Sequence, residues 1–215
     1  MYSKGYENKI AKILIDGYNV TNINNYDERI LQREWINQLG ERPDIVVLGS
    51  SRSMMIREKD FENIKLINNS VSGASVQDLV AIYQLYKIKK LLPKTFVIGL
   101  DPWIFNQNNG QKRWLSLQKE YNSFYDKNLQ NDKNLQNDKN LQNDKLKQLV
   151  SISYFQSSFK MVLAKVFKEN IDPISTDKIY NQNQTKLFDG SLTYRKKYTE
   201  SSNRETVNMR VLKSN

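Results

Sequence analysis

Three short loop segments stand where aliphatic runs end. They are Gly49-Ser50-Ser51-Arg52 after residues 45–48, 68-NNSVSG-73 after residues 64–67, and 101-DPWIFN-106 after residues 95–100. A serine on a sharp strand-to-helix turn exposes its hydroxyl, and neighbouring backbone N–H groups can point at an anion. Gly73 could bring its N–H close to a ligand with no side chain in the way, and Asp101 adds a carboxylate. The same residues also fit ordinary work. Ser51 or Ser53 would cap a following helix, Gly49 and Gly73 would turn the chain, and Asp101-Pro102 would open a loop.

The elements around these segments follow from periodicity. Residues 27–39 place Ile30, Leu31, Trp35 and Leu39 near helical spacing, and Pro43 breaks the helix before the buried-strand run 45–48. Residues 54–61 read as a short helix and residues 64–67 as a second strand. The clearest helix is 75-SVQDLVAIYQLYKIKKLL-92, with a Ser75/Asp78 capping box and an apolar face of Val76, Leu79, Val80 and Tyr83. Lys89 and Lys90 suit its C-terminal dipole, Pro93 ends it, and residues 95–100 form a third strand. Strands alternating with helices imply an α/β fold with a parallel sheet, whose ligands gather at the carboxyl ends of the strands. All three loop segments lie there.

Residues 111–125 continue as a helix sharing Trp114, Leu117, Tyr121 and Phe124 on one face. A perfect tandem repeat follows, DKNLQN at 126–131, 132–137 and 138–143. A six-residue step turns a helix by about 600°, so Leu129, Leu135 and Leu141 form no continuous stripe. The repeat reads as a solvated insertion. Helical patterning returns over 147–168, and the tail beyond 170 reads as irregular, with a turn at 188-FDGS-191. The expected organisation is a helical lead-in at 1–43, an α/β core at 44–125, a repeat insertion at 126–146, and a helix with an irregular tail at 147–215.

The net charge is +10, from 33 basic and 23 acidic residues, but the basic residues are scattered and the densest group is only Arg195-Lys196-Lys197. Nucleic acid is therefore not an expected partner. The chain has no cysteine and no histidine, which removes disulfides, thiolate metal sites and the commonest general base. No cofactor or metal is expected. No segment reaches the roughly 20 apolar residues that span a bilayer. The first twenty residues lack the apolar core of a signal peptide, which makes the cytoplasm the default compartment.

The segments LGSSR, NNSVSGAS and VIGLDPWIF resemble the first three blocks of SGNH/GDSL-type hydrolases. They are most similar to bacterial GSSR-type members linked with acylation and deacylation of envelope polysaccharide. The resemblance covers residues 44–106. It implies a flavodoxin-like three-layer α/β/α sandwich, with Ser51 as nucleophile and the N–H groups of Ser51 and Gly73 as oxyanion donors. Gly99 would be the glycine of the third block, and Asp101 falls where that block usually carries asparagine. An ionised Asp101 cannot donate a hydrogen bond and would repel the oxyanion unless turned away.

The family takes its base from a late Asp-x-x-His block, and the nearest string here, Asp189-Gly190-Ser191-Leu192, ends in leucine. Three strands are legible where such a fold needs about five. The resemblance thus implies an incomplete N-terminal portion of an SGNH-like esterase or acyltransferase, weak or inactive without its histidine. Its substrate would be an acylated envelope carbohydrate or a small ester, and its compartment the envelope or periplasm. The alternative is a non-catalytic carbohydrate-binding or structural remnant of the same fold. Arg52 and Arg57 would either attract an anionic donor or polymer or be simply solvated. Trp103 would be either a sugar-stacking wall beside Ser51 or a lid on the domain.

Overall fold

The computed structural model describes residues 5–106, 110–126 and 172–194. The expected helix over 147–168, the bulk of the hexapeptide repeat, and Arg195-Lys196-Lys197 lie outside the described residues. The architecture is mixed α/β, with a parallel three-stranded sheet and a separate antiparallel sheet.

The parallel sheet contains β2 (Ile45–Leu48), β3 (Leu66–Asn68) and β4 (Thr95–Ile98), in the order β3-β2-β4. Val46 lies opposite both Ile67 and Phe96, so β2 is the central strand. Two helices cover one face of it. Helix α2 (Glu28–Gln38) starts at Asp27, whose carboxylate accepts from the N–H groups of Arg29 (2.8 Å) and Ile30 (3.2 Å). Helix α3 (Val76–Lys89) starts with the expected capping box. Ser75 Oγ accepts from Asp78 N at 3.4 Å, and Asp78 Oδ2 accepts from Ser75 N at 2.8 Å. Ile36, Ile82, Leu85 and Tyr86 pack on Val46 and Leu48 to form one core. The expected apolar face of α3 is only part of its buried surface: Val76 is 40% exposed, whereas Ala81, Ile82 and Tyr86 are buried.

A second core joins the N-terminal segment to this unit. Helix α1 (Tyr6–Ile15) buries Tyr6, Ile10, Ala11 and Leu14 along one face, against Leu31 and Trp35 of α2 and Ile67 of β3. Beyond α1 lies β1 (Asn19–Thr21), which the sequence reading does not anticipate. It pairs antiparallel with β5 (Ile174–Thr176) on one side and β6 (Thr185–Lys186) on the other, and β6 pairs with β7 (Leu192–Thr193). Within 172–194 the expected irregular tail is therefore a small sheet that returns to the N-terminal segment. Helix α4 (Gln118–Asp126) follows a 3-10 turn at Arg113–Leu117. Among the described residues no helix is long and apolar enough to cross a membrane.

The two edges of the parallel sheet differ. On β3 the outward N–H of Leu66 donates to Glu58 Oε2 (3.0 Å), and that of Asn68 donates to the Asp189 carbonyl (2.7 Å). Among the described residues β4 pairs with β2 alone, and Ile98 and Leu100 beside its open edge are 50% and 60% exposed. One edge is sealed with side chain and loop, and the other has no partner strand among the described residues.

Candidate active site

The strand order β3-β2-β4 matches the first three strands of the doubly wound order 2-1-3-4-5. In such sheets ligands bind where the order reverses, between the carboxyl ends of the first and third strands. Here that point lies between the ends of β2 and β4, where Ser50, Ser51 and Arg52 meet Asp101.

The segment after β2 is not the expected short helix. It forms two 3-10 turns, Ser53–Met55 and Glu58–Asp60, with Ile56 and Arg57 extended between them. Asn68 at the end of β3 explains the break. Its Nδ2 donates to the carbonyls of Ser53 (2.7 Å) and Ile56 (2.9 Å), which an α-helix would give to later N–H groups. The N–H of Arg57 turns instead to Asp60 Oδ2 at 3.1 Å.

Ser51 caps neither turn. The first 3-10 turn has Arg52 as its N-cap residue and no side-chain cap bond. Among the described residues the half-buried Ser51 hydroxyl has no hydrogen-bond partner. Its neighbours on either side are both tied to Asp101. Ser50, fully buried, donates its hydroxyl to Asp101 Oδ2, and Arg52 Nη1 lies 3.3 Å from Asp101 Oδ1. The Arg52 guanidinium also sits 5.0 Å over the Trp103 ring. Its side chain is 72% exposed while that of Asp101 is 9% exposed, so the ion pair contributes about 1 kcal/mol or less, and the cation–π contact a similar amount. Asp101 is thus turned away from the third-donor role and braces the turn that carries Ser51.

Two glycines owe their places to Ser53, which the sequence reading treats only as a possible cap. Added to Gly49, a Cβ would lie 2.3 Å from Ser53 Oγ; added to Gly99, it would lie 2.0 Å away. Gly49 does not have a positive φ, so close approach of strand ends, not a tight turn, is what requires it. The spacing of Gly49 and Ser53 across a turn, with Gly99 ending a neighbouring strand, was the available signal.

Gly73 does adopt the left-handed conformation, at φ +55, where an L side chain is strained. Its loop joins the Ser51 turn through Val71 N, which donates to the Gly49 carbonyl at 3.0 Å. A buried ion pair holds the loop. Arg29 Nε lies 2.9 Å from Asp78 Oδ1, and Arg29 Nη2 donates to the Ser72 carbonyl at 2.9 Å. Gln111 Nε2 donates to both the Gly73 carbonyl and Asp78 Oδ2, at 2.9 Å each. Glu28 accepts from the Ser72 hydroxyl at 2.8 Å and from its N–H. This scaffold fixes the path of residues 72–73 before any ligand arrives.

The Asp189-Gly190-Ser191-Leu192 string serves the antiparallel sheet. Asp189 Oδ1 accepts from Ser191 N (2.9 Å) and Ser191 Oγ (2.6 Å), and Oδ2 accepts from Glu58 N (2.8 Å). Burial, with the Asp189 charge adding to it, pushes the Glu58 carboxyl above its ordinary value. Lys186, buried with its Nζ on the Gly190 carbonyl at 2.9 Å, is pushed down by desolvation. A cleft of about 600 Å³ opens beside these groups, walled by Leu14, Trp35, Phe61, Ile64, Ile67 and Phe188. Ser51, Gly73 and Asp101 take no part in it. The strand ends are the better candidate, because three loops are tied together there, the Gly73 loop through Val71 N to Gly49 and the loop after β4 through Asp101 to Ser50 and Arg52.

The chain matches no protein-family model, no curated protein and no solved structure.

Proposed function

We propose that the chain is an SGNH-like serine ester hydrolase or O-acyltransferase acting on O-acyl groups of cell-envelope carbohydrate, and that its parallel sheet is the first part of a flavodoxin-like sandwich. One observation carries the reading: a serine whose hydroxyl has no hydrogen-bond partner among the described residues stands at the reversal point of a parallel sheet, on a turn braced through both neighbours by a buried carboxylate. Ser51 Oγ would attack the ester carbonyl carbon, forming a C–O bond as its proton passes to a base. Collapse of the tetrahedral oxyanion expels the alcohol, which takes up a proton, and leaves an acyl-serine. Water then regenerates the hydroxyl, or a second sugar hydroxyl accepts the acyl group. The N–H groups of Ser51 and Gly73 are the proposed oxyanion donors, each worth about 3–4 kcal/mol when aligned.

These 215 residues contain no imidazole. Slow acylation, with hydroxide in place of the base, is the expected behaviour. A fluorophosphonate probe at alkaline pH should leave an adduct on the Ser51 peptide by mass spectrometry, at a rate rising about tenfold per pH unit, and Ser51→Ala should abolish it. An adduct that persists in the variant, or none on Ser51 after long incubation, defeats the reading. The missing imidazole together with the Arg52–Trp103 stack favours a second reading, a carbohydrate-binding relative without chemistry. That reading requires saturable polysaccharide binding that Ser51→Ala leaves unchanged.

A further inference from the structure

The residue after the candidate nucleophile covers an aromatic plate. Arg52 bridges Asp101 at 3.3 Å and lies 5.0 Å over Trp103, with most of its side chain in solvent. If Ser51 is the acylated residue, the group carrying the ester must settle beside this cover.

We propose that this site takes an anionic sugar ring, a uronate or a phosphate-bearing pyranose, with Arg52 recognising the anionic substituent and Trp103 supplying the platform for the ring. The inference rests on the proposed acyl-transfer reading of the same site. Recognition would work by exchange. Arg52 meets Asp101 through one nitrogen at a distance longer than a good charge-assisted bond, and an incoming carboxylate or phosphate can offer its guanidinium a two-pronged partner. When Arg52 moves onto that partner, the face of Trp103 is uncovered for the apolar C–H face of a pyranose.

Asp101 is not stranded by the move, because the Ser50 hydroxyl remains bonded to it. A neutral ring would have to displace the same cation while giving nothing back. Arg57 is not the solvated side chain that was the other expectation: it is 9% exposed, and among the described residues its Nε has no hydrogen-bond partner and it enters no ion pair.

The test compares trigalacturonate with neutral galactotriose by isothermal titration of the 215-residue chain. The uronate should bind at least tenfold more tightly. Arg52→Gln should erase the preference, Arg52→Lys should restore only part of it, and Trp103→Ala should weaken both ligands. Lys89→Gln, at the opposite end of the sheet from Ser51, should have no effect. Equal affinity for the two trisaccharides overturns the inference, as does an unchanged preference in Arg52→Gln or an equal loss in Lys89→Gln. Failure of fluorophosphonate labelling with the uronate preference intact would defeat the acyl chemistry and leave this ligand site standing. Labelled Ser51 without the preference would do the reverse.

Discussion

Gly99→Ala tests how the site is built. The new methyl would sit 2.0 Å from Ser53 Oγ and 3.2 Å from Ser53 Cβ. Ser53 has little room to yield: it is 7% exposed, its N–H donates to the Ser50 carbonyl at 3.0 Å, and its own carbonyl is held by Asn68 at 2.7 Å. Turning the hydroxyl away removes the worst contact but leaves the Cβ contact tight. Overpacking of this kind costs about 1–3 kcal/mol. Ser53→Ala alone should cost less than about 1 kcal/mol, because it removes one hydroxyl and no packing volume beyond it. In the double variant the 2.0 Å clash is gone, so most of the Gly99→Ala loss should return. Urea unfolding of the wild type, both single variants and the double variant gives the coupling directly, with an expected value of about 1–2 kcal/mol. Additivity within about 0.5 kcal/mol would refute the claim that Gly99 exists to admit Ser53.

Two further predictions follow from buried charge. Arg29→Met leaves Asp78 fully buried and short of its cation, so stability should fall by about 3–5 kcal/mol in chemical denaturation, with Arg29→Lys recovering only part. A loss below about 1 kcal/mol would show that Gln111 and Ser75 suffice to hold the carboxylate. Glu58 has a folded-state pKa raised above 4.5, chiefly by burial. Between 4.5 and that raised value the native state binds more protons than the unfolded one, so this group's contribution to stability declines as pH rises through the window. Glu58→Gln keeps an acceptor for Leu66 N and removes the titration, so its stability relative to wild type should grow from pH 4 to pH 7. Parallel pH profiles would contradict this.

The parallel sheet was legible because its strands are aliphatic runs with hard punctuation: Pro43 before β2, the Ser75/Asp78 box before α3 and Pro93 before β4. The antiparallel sheet was not. Its strands are two or three residues long, too short for alternation to register, and β1 finds Thr176 opposite Asn19 across more than 150 positions of chain. The helix expected over 54–61 failed for a related reason: the Asn68 side chain, from another strand, takes the carbonyls the helix needed. At the site, the juxtaposition of Ser51 and Asp101 followed from the strand order, while the ties of Asp101 to Ser50 and Arg52 depend on side-chain directions that spacing does not encode. Gly49 looked like a turn residue and Gly99 like part of the third strand, since the serine that demands both is visible only in three dimensions.

The unequal edges of the parallel sheet set a limit on its self-association. Propagating edge-to-edge pairing needs two reactive ends per unit, as in step-growth polymerisation, and among the described residues this sheet offers one. Glu58 and the Asp189 carbonyl act as a chain stopper on β3. Among the described residues, two copies meeting at β4 would satisfy each other and leave no parallel-sheet edge for a third. Association through the described sheet would then terminate at the pair instead of propagating into a fibre.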